Sequence, residues 1–294
     1  MKKRETILNE REKVLLERAQ PLVYREAGEG EDLSIHFYFP RDFEERDDRP
    51  VFLFFNSGGW DRGSVVQFAP QALYYVERGV VCGLVQYRNK ASHPDSTAID
   101  AVRDGLTAVQ FVRHHAGKLR IDAEKVVAIG AGAGANIAGC ATMRAHIPAP
   151  EGPYALAKPQ PNAAVLISTI FDVVKGDYGF ERFASAADAR RAGLSRYVAG
   201  GLPPILVIHG TADRLVPFGE AKSFASKMKK KRTPFEFVEF EGRDQNFFNM
   251  NTDPVSCEAA LSTIDDFLDR HDILERTGEE EGISRLISRR EQDY

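Results

Sequence analysis

The chain has 294 residues and a hydrophobic content of 43%, which suit one large α/β domain and exclude an intrinsically disordered protein. Its formal net charge of −4 excludes the broad basic surface on which nucleic-acid binding depends. The three cysteines lack metal-ligand spacing, no apolar run is long enough to cross a bilayer, and the start lacks the apolar core of a signal peptide. We therefore expect a cytoplasmic protein without a metal, a membrane or a nucleic-acid partner.

The first strand patterns lead to a glycine-rich loop. Residues 1–20 are rich in charge and carry apolar residues at roughly helical spacing, which predicts a peripheral amphipathic helix. Alternating apolar and polar residues over 33–39 predict a half-buried strand, and the apolar run 51–55 is typical of a strand buried on both faces. That run ends in Asn56-Ser-Gly-Gly-Trp60. Glycines after a central strand let backbone N–H groups converge on one point, as an oxyanion hole requires.

The stretch 125–140, KVVAIGAGAGANIAGC, follows helix, strand and helix patterns over 67–79, 80–86 and 98–116. It is typical of a strand, a tight turn and the start of a helix, the context of a nucleophile elbow with the pattern Gly-x-Ser-x-Gly. Gly130 and Gly134 occupy the outer positions of that pattern. Gly132 stands at the middle position, so the turn is present and its serine is missing.

The second half of the chain continues the alternation of strands and helices. Strands are predicted over 163–168, 204–209 and 234–240, and helices over 218–228 and 256–274. The polar segment 171–197 is interpreted as a small lid. The alternation predicts a mostly parallel sheet with helices on both faces, in a single domain over 21–274. Residues 275–294 form a charged tail.

In this order of motifs the chain resembles the esterase/lipase branch of the α/β-hydrolase family, over about residues 30–275. The resemblance implies the α/β-hydrolase fold, with Asp213 as the acid of a catalytic triad. It also implies that Gly58, Gly59, Trp60 and the backbone amide of Ala133 form the oxyanion site. The motifs that carry the resemblance are Gly58-Gly-Trp60, Tyr87-Arg88, Ile121-Asp122, Gly130 with Gly134, His209-Gly-Thr-Ala-Asp213 and Phe247-Phe-Asn249.

The chain departs from this family pattern at three positions that carry chemistry. Gly132 stands where the family has its serine nucleophile, and Gln245 stands where it has its histidine base. Asn56 replaces the histidine at the head of the oxyanion loop. A serine-protease triad without its members retains only about 10³–10⁴-fold catalysis over water. We therefore do not expect serine-dependent ester hydrolysis, and we expect no cofactor.

Three interpretations follow. The first is a pseudo-esterase that binds a small ester-, carboxylate- or sugar-like ligand without turning it over. The second is a lyase, isomerase or cyclase that uses the oxyanion hole together with Asp213 or Asp244. The third is an interaction or scaffold protein with a vestigial pocket. We rank the three in that order, and the sequence leaves a homodimer open.

Overall fold

The structure is a computed structural model that describes residues 10–26, 31–46 and 48–274. Its first element is helix α1, Glu10–Glu17, and the first strand already begins at Gln20. The helix predicted over 1–20 is thus described over only part of that range, because residues 1–9 lie outside the described residues. The predicted charged tail, 275–294, also lies outside them.

An eight-stranded sheet with the order β1-β2-β4-β3-β5-β6-β7-β8 lies at the centre of the fold. The strands β1 and β2 pair antiparallel with each other, and β2 pairs antiparallel with β4. All the other pairs are parallel, which confirms the predicted α/β fold with a mostly parallel sheet. The strands are β1 Gln20–Arg25, β2 Leu33–Tyr38, β3 Arg49–Phe55, β4 Val81–Val85, β5 Ile121–Ala131, β6 Ala163–Ile167, β7 Ile205–Gly210 and β8 Phe235–Phe240.

Helices cover both faces of the sheet, as the sequence predicts. After α1 they are α2 Ala69–Val76, α3 Ala98–His114, α4 Ala133–Thr142, α5 Ala186–Arg191, α6 Phe218–Met228 and α7 Pro254–Arg270. Successive side chains of a strand point to opposite faces. In β3, Leu53 therefore packs in one apolar cluster with α3, α4 and α6, and Phe54 packs in a second cluster with α2 and α7.

Some elements differ from the sequence pattern. The edge strand β1 was not predicted, since it is short and Val23 within it is 48% exposed. The predicted helix over 67–79 begins as a 3₁₀ turn at Val65–Phe68, and α2 follows with Pro70 in its first turn, where a missing N–H costs little. Helix α7 ends at Arg270 rather than continuing to Leu274.

The carboxyl ends of the parallel strands lie along one edge of the sheet, and their loops gather there. Ligands of open α/β sheets bind in the crevice outside these strand ends. The glycine-rich loop after β3 and the turn after β5 both lie at this edge, as do the loops after β6, β7 and β8. This edge is where the predicted site residues have to be located.

Candidate active site

The turn between β5 and α4 has the geometry that the sequence predicts for an elbow. Gly132 forms its apex at φ 54° and ψ −115°, a conformation that strongly favours glycine. A Cβ atom at Gly134 would overlap the Phe55 carbonyl oxygen, and one at Gly130 would overlap the backbone of Gly134. A Cβ at Gly132 would meet nothing closer than the Ser57 Cβ at 3.4 Å. Packing therefore requires the two outer glycines, whereas only backbone conformation favours the one at the apex.

The loop after β3 presents backbone donors towards the same elbow. The Gln67 side chain clamps the loop: its Oε1 accepts from the Ser57 amide at 2.7 Å, and its Nε2 donates to the Ser57 hydroxyl at 2.8 Å. Gly58 and Gly59 follow with φ values of 135° and 61°. Their amides donate no backbone hydrogen bond within the described residues. The Ala133 amide, at the first position of α4, has no acceptor within its helix. The three residues line the same cavity, and none of their amides has a backbone acceptor within the described residues.

These donors line a cavity of about 130 Å³. Residues from the loops after β3, β5, β6, β7 and β8 contribute to its wall. Both glycines of the loop after β3 line it, together with the elbow residues Gly132 and Ala133. The remaining lining residues are Ser57, Ser168, Ile170, Tyr178, Leu215, Val216, Gln245, Asn246 and Phe248. No histidine is among them, so no described imidazole faces this cavity.

The segment 171–197, which the sequence interprets as a lid, lies against the glycine loop. The Tyr178 hydroxyl is packed so closely on Gly59 that a Cβ there would overlap it, and Tyr178 also lines the cavity. An ion pair of 3.1 Å joins Arg182 in this segment to Asp61 beyond the loop. Tyr178 is thus the residue of this segment that lines the cavity, and the lid stays a prediction.

Two residues predicted for the oxyanion site lie outside the cavity wall. Trp60 is 2% exposed and packs edge-on against Phe183 of the lid, with ring centroids 5.3 Å apart. The Asn56 side chain donates to the Ser57 carbonyl at 2.7 Å, and the Asn56 carbonyl accepts from the Tyr87 hydroxyl at 2.7 Å. Asn56 lines a different cavity, of about 440 Å³. Both residues hold the glycine loop in place.

Asp213, the predicted acid, lies buried in the loop after β7 and does not line the cavity. Its Oδ1 accepts from the amides of Leu215 and Val216 at 2.9 and 3.0 Å. Its Oδ2 is buried without a hydrogen bond in the described part of the chain, 3.4 Å from His209 Nε2. That imidazole nitrogen bonds to the Val216 carbonyl at 3.0 Å. Burial raises the pKa of Asp213 and lowers the pKa of His209.

Gln245, at the predicted histidine position, follows β8 and lines the cavity. Its backbone carbonyl accepts from the Ser168 hydroxyl at 3.2 Å. Its side-chain oxygen Oε1 is buried and has no hydrogen-bond donor among residues 10–26, 31–46 and 48–274. The neighbouring Asp244 is exposed, and its Oδ1 accepts from the Asn246 amide at 2.7 Å. Gln245 therefore lines the cavity while its side-chain oxygen is buried within the protein, whereas Asp244 caps a surface turn.

The structure thus brings five of the predicted residues together around one cavity: Gly58, Gly59, Gly132, Ala133 and Gln245. Sequence reasoning did not assign Ser168 or Tyr178 to the site. Ser168 directly follows β6 and has φ 44°, so a serine at the end of a predicted strand was the available signal. Nothing in the sequence assigned Tyr178 to the site, because it lies within a polar segment without a motif. The binding roles of the predicted residues stay predictions.

The thiol groups offer no substitute nucleophile. All three cysteines are buried and free. Burial raises the pKa of Cys140 far above its usual value and that of Cys257 to about 12, so both remain protonated thiols at neutral pH. Among the described residues, no cluster of His, Cys, Asp or Glu could hold a metal ion, and no helix is long and apolar enough to cross a membrane.

Comparison with known sequences finds relatives among esterases. A model of the α/β-hydrolase fold family matches residues 52–249. The chain is 24% identical over 216 residues to isoprenylcysteine alpha-carbonyl methylesterase of Arabidopsis thaliana, covering 66% of this chain and 50% of that protein. It is 23% identical over 198 residues to the probable carboxylic ester hydrolase LipM of Mycobacterium tuberculosis, covering 62% of this chain and 45% of that protein. The chain spans about half the length of these curated relatives.

Solved structures include a similar molecule of nearly the same length, esterase 2 of Thermogutta terrifontis. Its form phosphoramylated by tabun is 33% identical, with a TM-score of 0.82, and the match covers 89% of this chain and 98% of that one. Its butyrate-bound form matches with the same TM-score of 0.82 over 90% of this chain and 98% of that one. The propionate-bound form has a TM-score of 0.81 and 33% identity, and the match also covers 90% and 98%.

Proposed function

The chain belongs to the α/β-hydrolase fold family, and we propose that it is a pseudo-esterase that binds a small ester-, carboxylate- or sugar-like ligand without hydrolysing it. One observation carries the proposal. The cavity is lined by Gly58, Gly59 and Ala133, whose amides have no backbone acceptor in the described part of the chain, but the apex residue of the elbow, Gly132, has no side chain with which to attack. In this proposal the site has groups that can bind a ligand and lacks a group that can attack it.

The donors suit the oxygen of an acyl group. The amides of Gly58 and Gly59 come from the loop after β3, and the amide of Ala133 lies at the positive end of the α4 dipole. A cavity of about 130 Å³ is smaller than the ~300–1,000 Å³ pockets that hold drug-sized ligands, so it suits a short acyl compound. The similar esterase has been solved with butyrate and with propionate, which are compounds of this size.

The remaining hydroxyls of the cavity do not restore a nucleophile. Ser57 accepts from the Gln67 side chain, and Ser168 donates to a backbone carbonyl, so neither hydroxyl is bonded to a base. An activated serine needs an adjacent base within hydrogen-bond reach. Residue 245, which stands at the family's histidine position, is a glutamine that cannot take up a proton at neutral pH. These groups support binding rather than covalent catalysis.

The two other interpretations have less support. A lyase, isomerase or cyclase would need a carboxylate with a raised pKa that faces the cavity. Asp213 has the raised pKa but does not line the cavity, and Asp244 is exposed in a surface turn. A scaffold with a vestigial pocket would have a pocket filled by its own side chains, whereas this cavity is open.

The test combines a turnover assay with a binding assay on the wild-type chain. We expect hydrolysis of nitrophenyl acetate no faster than with the same protein after denaturation. We also expect short acyl compounds at ten times their Kd to raise the Tm by roughly 3 °C, from a linkage free energy of about 1.4 kcal/mol. Saturable ester turnover by the wild type would refute the proposal. A panel of short esters, carboxylates and sugars at millimolar concentrations without any effect on the Tm would also refute it.

A further inference from the structure

A second cavity, of about 440 Å³, lies between helix α1 and the loop after β3. Its size falls in the range of ~300–1,000 Å³ that is typical of pockets for small organic ligands. Leu16, Leu33 and Val65 give it an apolar wall, and several polar side chains complete the lining. No described residue lines both this cavity and the smaller one of about 130 Å³. The proposed function therefore makes no use of it.

Asn56 presents an unpaired acceptor to this second cavity. The residue is 6% exposed, and its Nδ2 donates to the Ser57 carbonyl at 2.7 Å. Because a carbonyl can only accept, this bond decides which end of the side-chain amide carries the oxygen. The oxygen, Oδ1, accepts no hydrogen bond within the described residues, and it is not among their fully buried polar atoms. The open space that Asn56 lines is the second cavity, so Oδ1 is left for a donor from outside the chain.

Hydrogen bonds hold the elements that surround this cavity. On one side, the Ser64 hydroxyl donates to the Glu12 carboxylate of α1 at 2.6 Å, which ties the helix to the loop after β3. On another side, Nε2 of the buried His93 donates to the Glu31 carbonyl at 3.0 Å. Ser64, Glu31 and His93 all line the cavity. The binding groups are thus carried by a fixed wall, as a binding site requires.

The charge of the lining favours a cation. Its described charged residues are Lys13, Glu31 and Asp32, so the carboxylates exceed the ammonium group by one. Glu31 is partly buried, and its carboxylate forms no ion pair within the described residues. A cleft lined by an excess of one sign of charge concentrates ligands of the opposite sign. The charge and the unpaired Oδ1 of Asn56 therefore both favour a ligand that donates hydrogen bonds and carries a positive charge.

We propose that the second cavity binds a primary amine with an apolar body, in its ammonium form. The ammonium group has three donors and no acceptor, and it donates to Asn56 Oδ1 and to the Glu31 carboxylate. The apolar body of the ligand packs against Leu16, Leu33 and Val65. Hydrogen bonds of a charged donor to a carboxylate are about twice as strong as neutral ones. An alcohol of the same shape offers a single neutral donor, and a carboxylate offers none. No covalent step is involved.

The experiment compares 2-phenylethylamine with 2-phenylethanol, which has the same number of non-hydrogen atoms, and with phenylacetate. Their Kd values are measured on the full chain at neutral pH by calorimetry or ligand-detected NMR. We expect the amine to bind at least ~10-fold more tightly than the other two compounds. In Glu31→Gln, the preference for the amine over the alcohol should fall to about threefold or less. The matched control is Glu45→Gln, at an exposed residue that does not line the cavity, which should keep the preference.

A second pair of variants tests where the amine binds. Leu16→Trp puts a larger side chain on the α1 wall of the cavity and should weaken binding of 2-phenylethylamine at least ~10-fold, because the two compete for the same space. Val14→Trp is the matched control on the same helix. Val14 is 57% exposed and does not line the cavity, so this variant should keep the Kd within about twofold.

The outcomes are independent of the smaller cavity, so a failure here leaves the proposed function standing. If the amine binds the wild type no more tightly than the alcohol, the inference is wrong. It is also wrong if Glu31→Gln keeps the preference or if Leu16→Trp keeps the affinity. Asn56 is tested in the wild type, because a variant at this residue also loses the bond to the Ser57 carbonyl. The side-chain amide signal of Asn56 has to shift in NMR spectra with the amine, and an unchanged signal at saturation refutes the inference.

Discussion

The two sides of the cavity are built from different parts of the chain. The donor side consists of backbone: the glycine loop after β3 and the elbow between β5 and α4. The opposite side, after β7 and β8, presents side chains, and the groups that would carry family chemistry there are Asp213 and Gln245. The position of the backbone groups depends on the packing of the central strands. The identity of the side chains on the opposite side does not. The side chains at residues 132 and 245 can therefore change without loss of the fold or of the backbone that lines the cavity.

The largest expected effect tests whether packing maintains the elbow. Gly134→Ala should lower the free energy of unfolding by about 3 kcal/mol or more, because the new Cβ overlaps the backbone of the central strand β3. Gly132→Ala should cost only about 1 to 2 kcal/mol, from its φ of 54°. Urea unfolding of the two variants measures the difference. Equal losses in the two variants would contradict the distinction between outer and apex glycines.

A second prediction concerns a variant that carries the family's serine and histidine at residues 132 and 245. Gly132→Ser combined with Gln245→His should hydrolyse nitrophenyl acetate at least ~100-fold faster than the wild type, the contribution expected of a positioned base. A side chain at residue 132 has room, since its Cβ would lie 3.4 Å from the nearest atom. Within the described residues Asp213 Oδ2 accepts no hydrogen bond, so it can accept one from an imidazole.

The controls for this gain are the two single variants and a triple variant that adds Asp213→Asn. Each single variant should stay within about tenfold of the wild type, because nucleophile and base act as a unit. The triple variant should lose most of the gain, since the imidazole is then no longer oriented by a carboxylate. A folded but inactive double variant would show that the family's geometry at this edge of the sheet has been lost.

The third prediction concerns Asp213 and pH. Burial raises its pKa, so the folded state binds a proton more readily than the unfolded chain, whose value lies near 3.8. Stability contributed by this group is present below that value and is lost as the pH rises through the raised folded pKa. Asp213→Asn should therefore raise the free energy of unfolding by about 1 kcal/mol at pH 7, with no gain at pH 3.5. Urea unfolding at both pH values measures this, and the exposed Asp95→Asn is the matched control.

The smallest expected effect concerns the segment 171–197, which the sequence predicts to be a lid. Asp61→Asn removes the 3.1 Å ion pair with Arg182, in which the side chains are 42% and 25% exposed. Such a pair is worth about 0 to 1 kcal/mol, so the Tm should fall by no more than roughly 3 °C. Protease cleavage within 171–197 should rise by less than about fivefold, because the packing of Trp60 on Phe183 remains. Complete loss of protection would show that the ion pair, not the aromatic contact, holds the lid.

The strand and helix patterns were the most predictable part of the molecule. Helix α6, Phe218–Met228, begins and ends at the predicted residues, and the fully buried strand β3 was evident from its apolar run. The edge strand β1 escaped prediction because half-exposed edge residues leave no clear alternation. Trp60 and Asn56 share a motif with Gly58 and Gly59, yet their side chains turn away from the cavity. A motif predicts where the backbone goes more reliably than where each side chain points.

The sequence by itself determined the order of the fold and the absence of a serine at the elbow, because both depend on local chain chemistry. Apolar periodicity defines strands and helices, and the glycines define the turn at Gly132. Only the tertiary structure decided which groups share the cavity. In the folded chain Ser168 and Tyr178 line the cavity, whereas Asp213 does not. These placements depend on how five separate loops pack at one edge of the sheet, and no local pattern encodes the distance between residues so far apart in the chain.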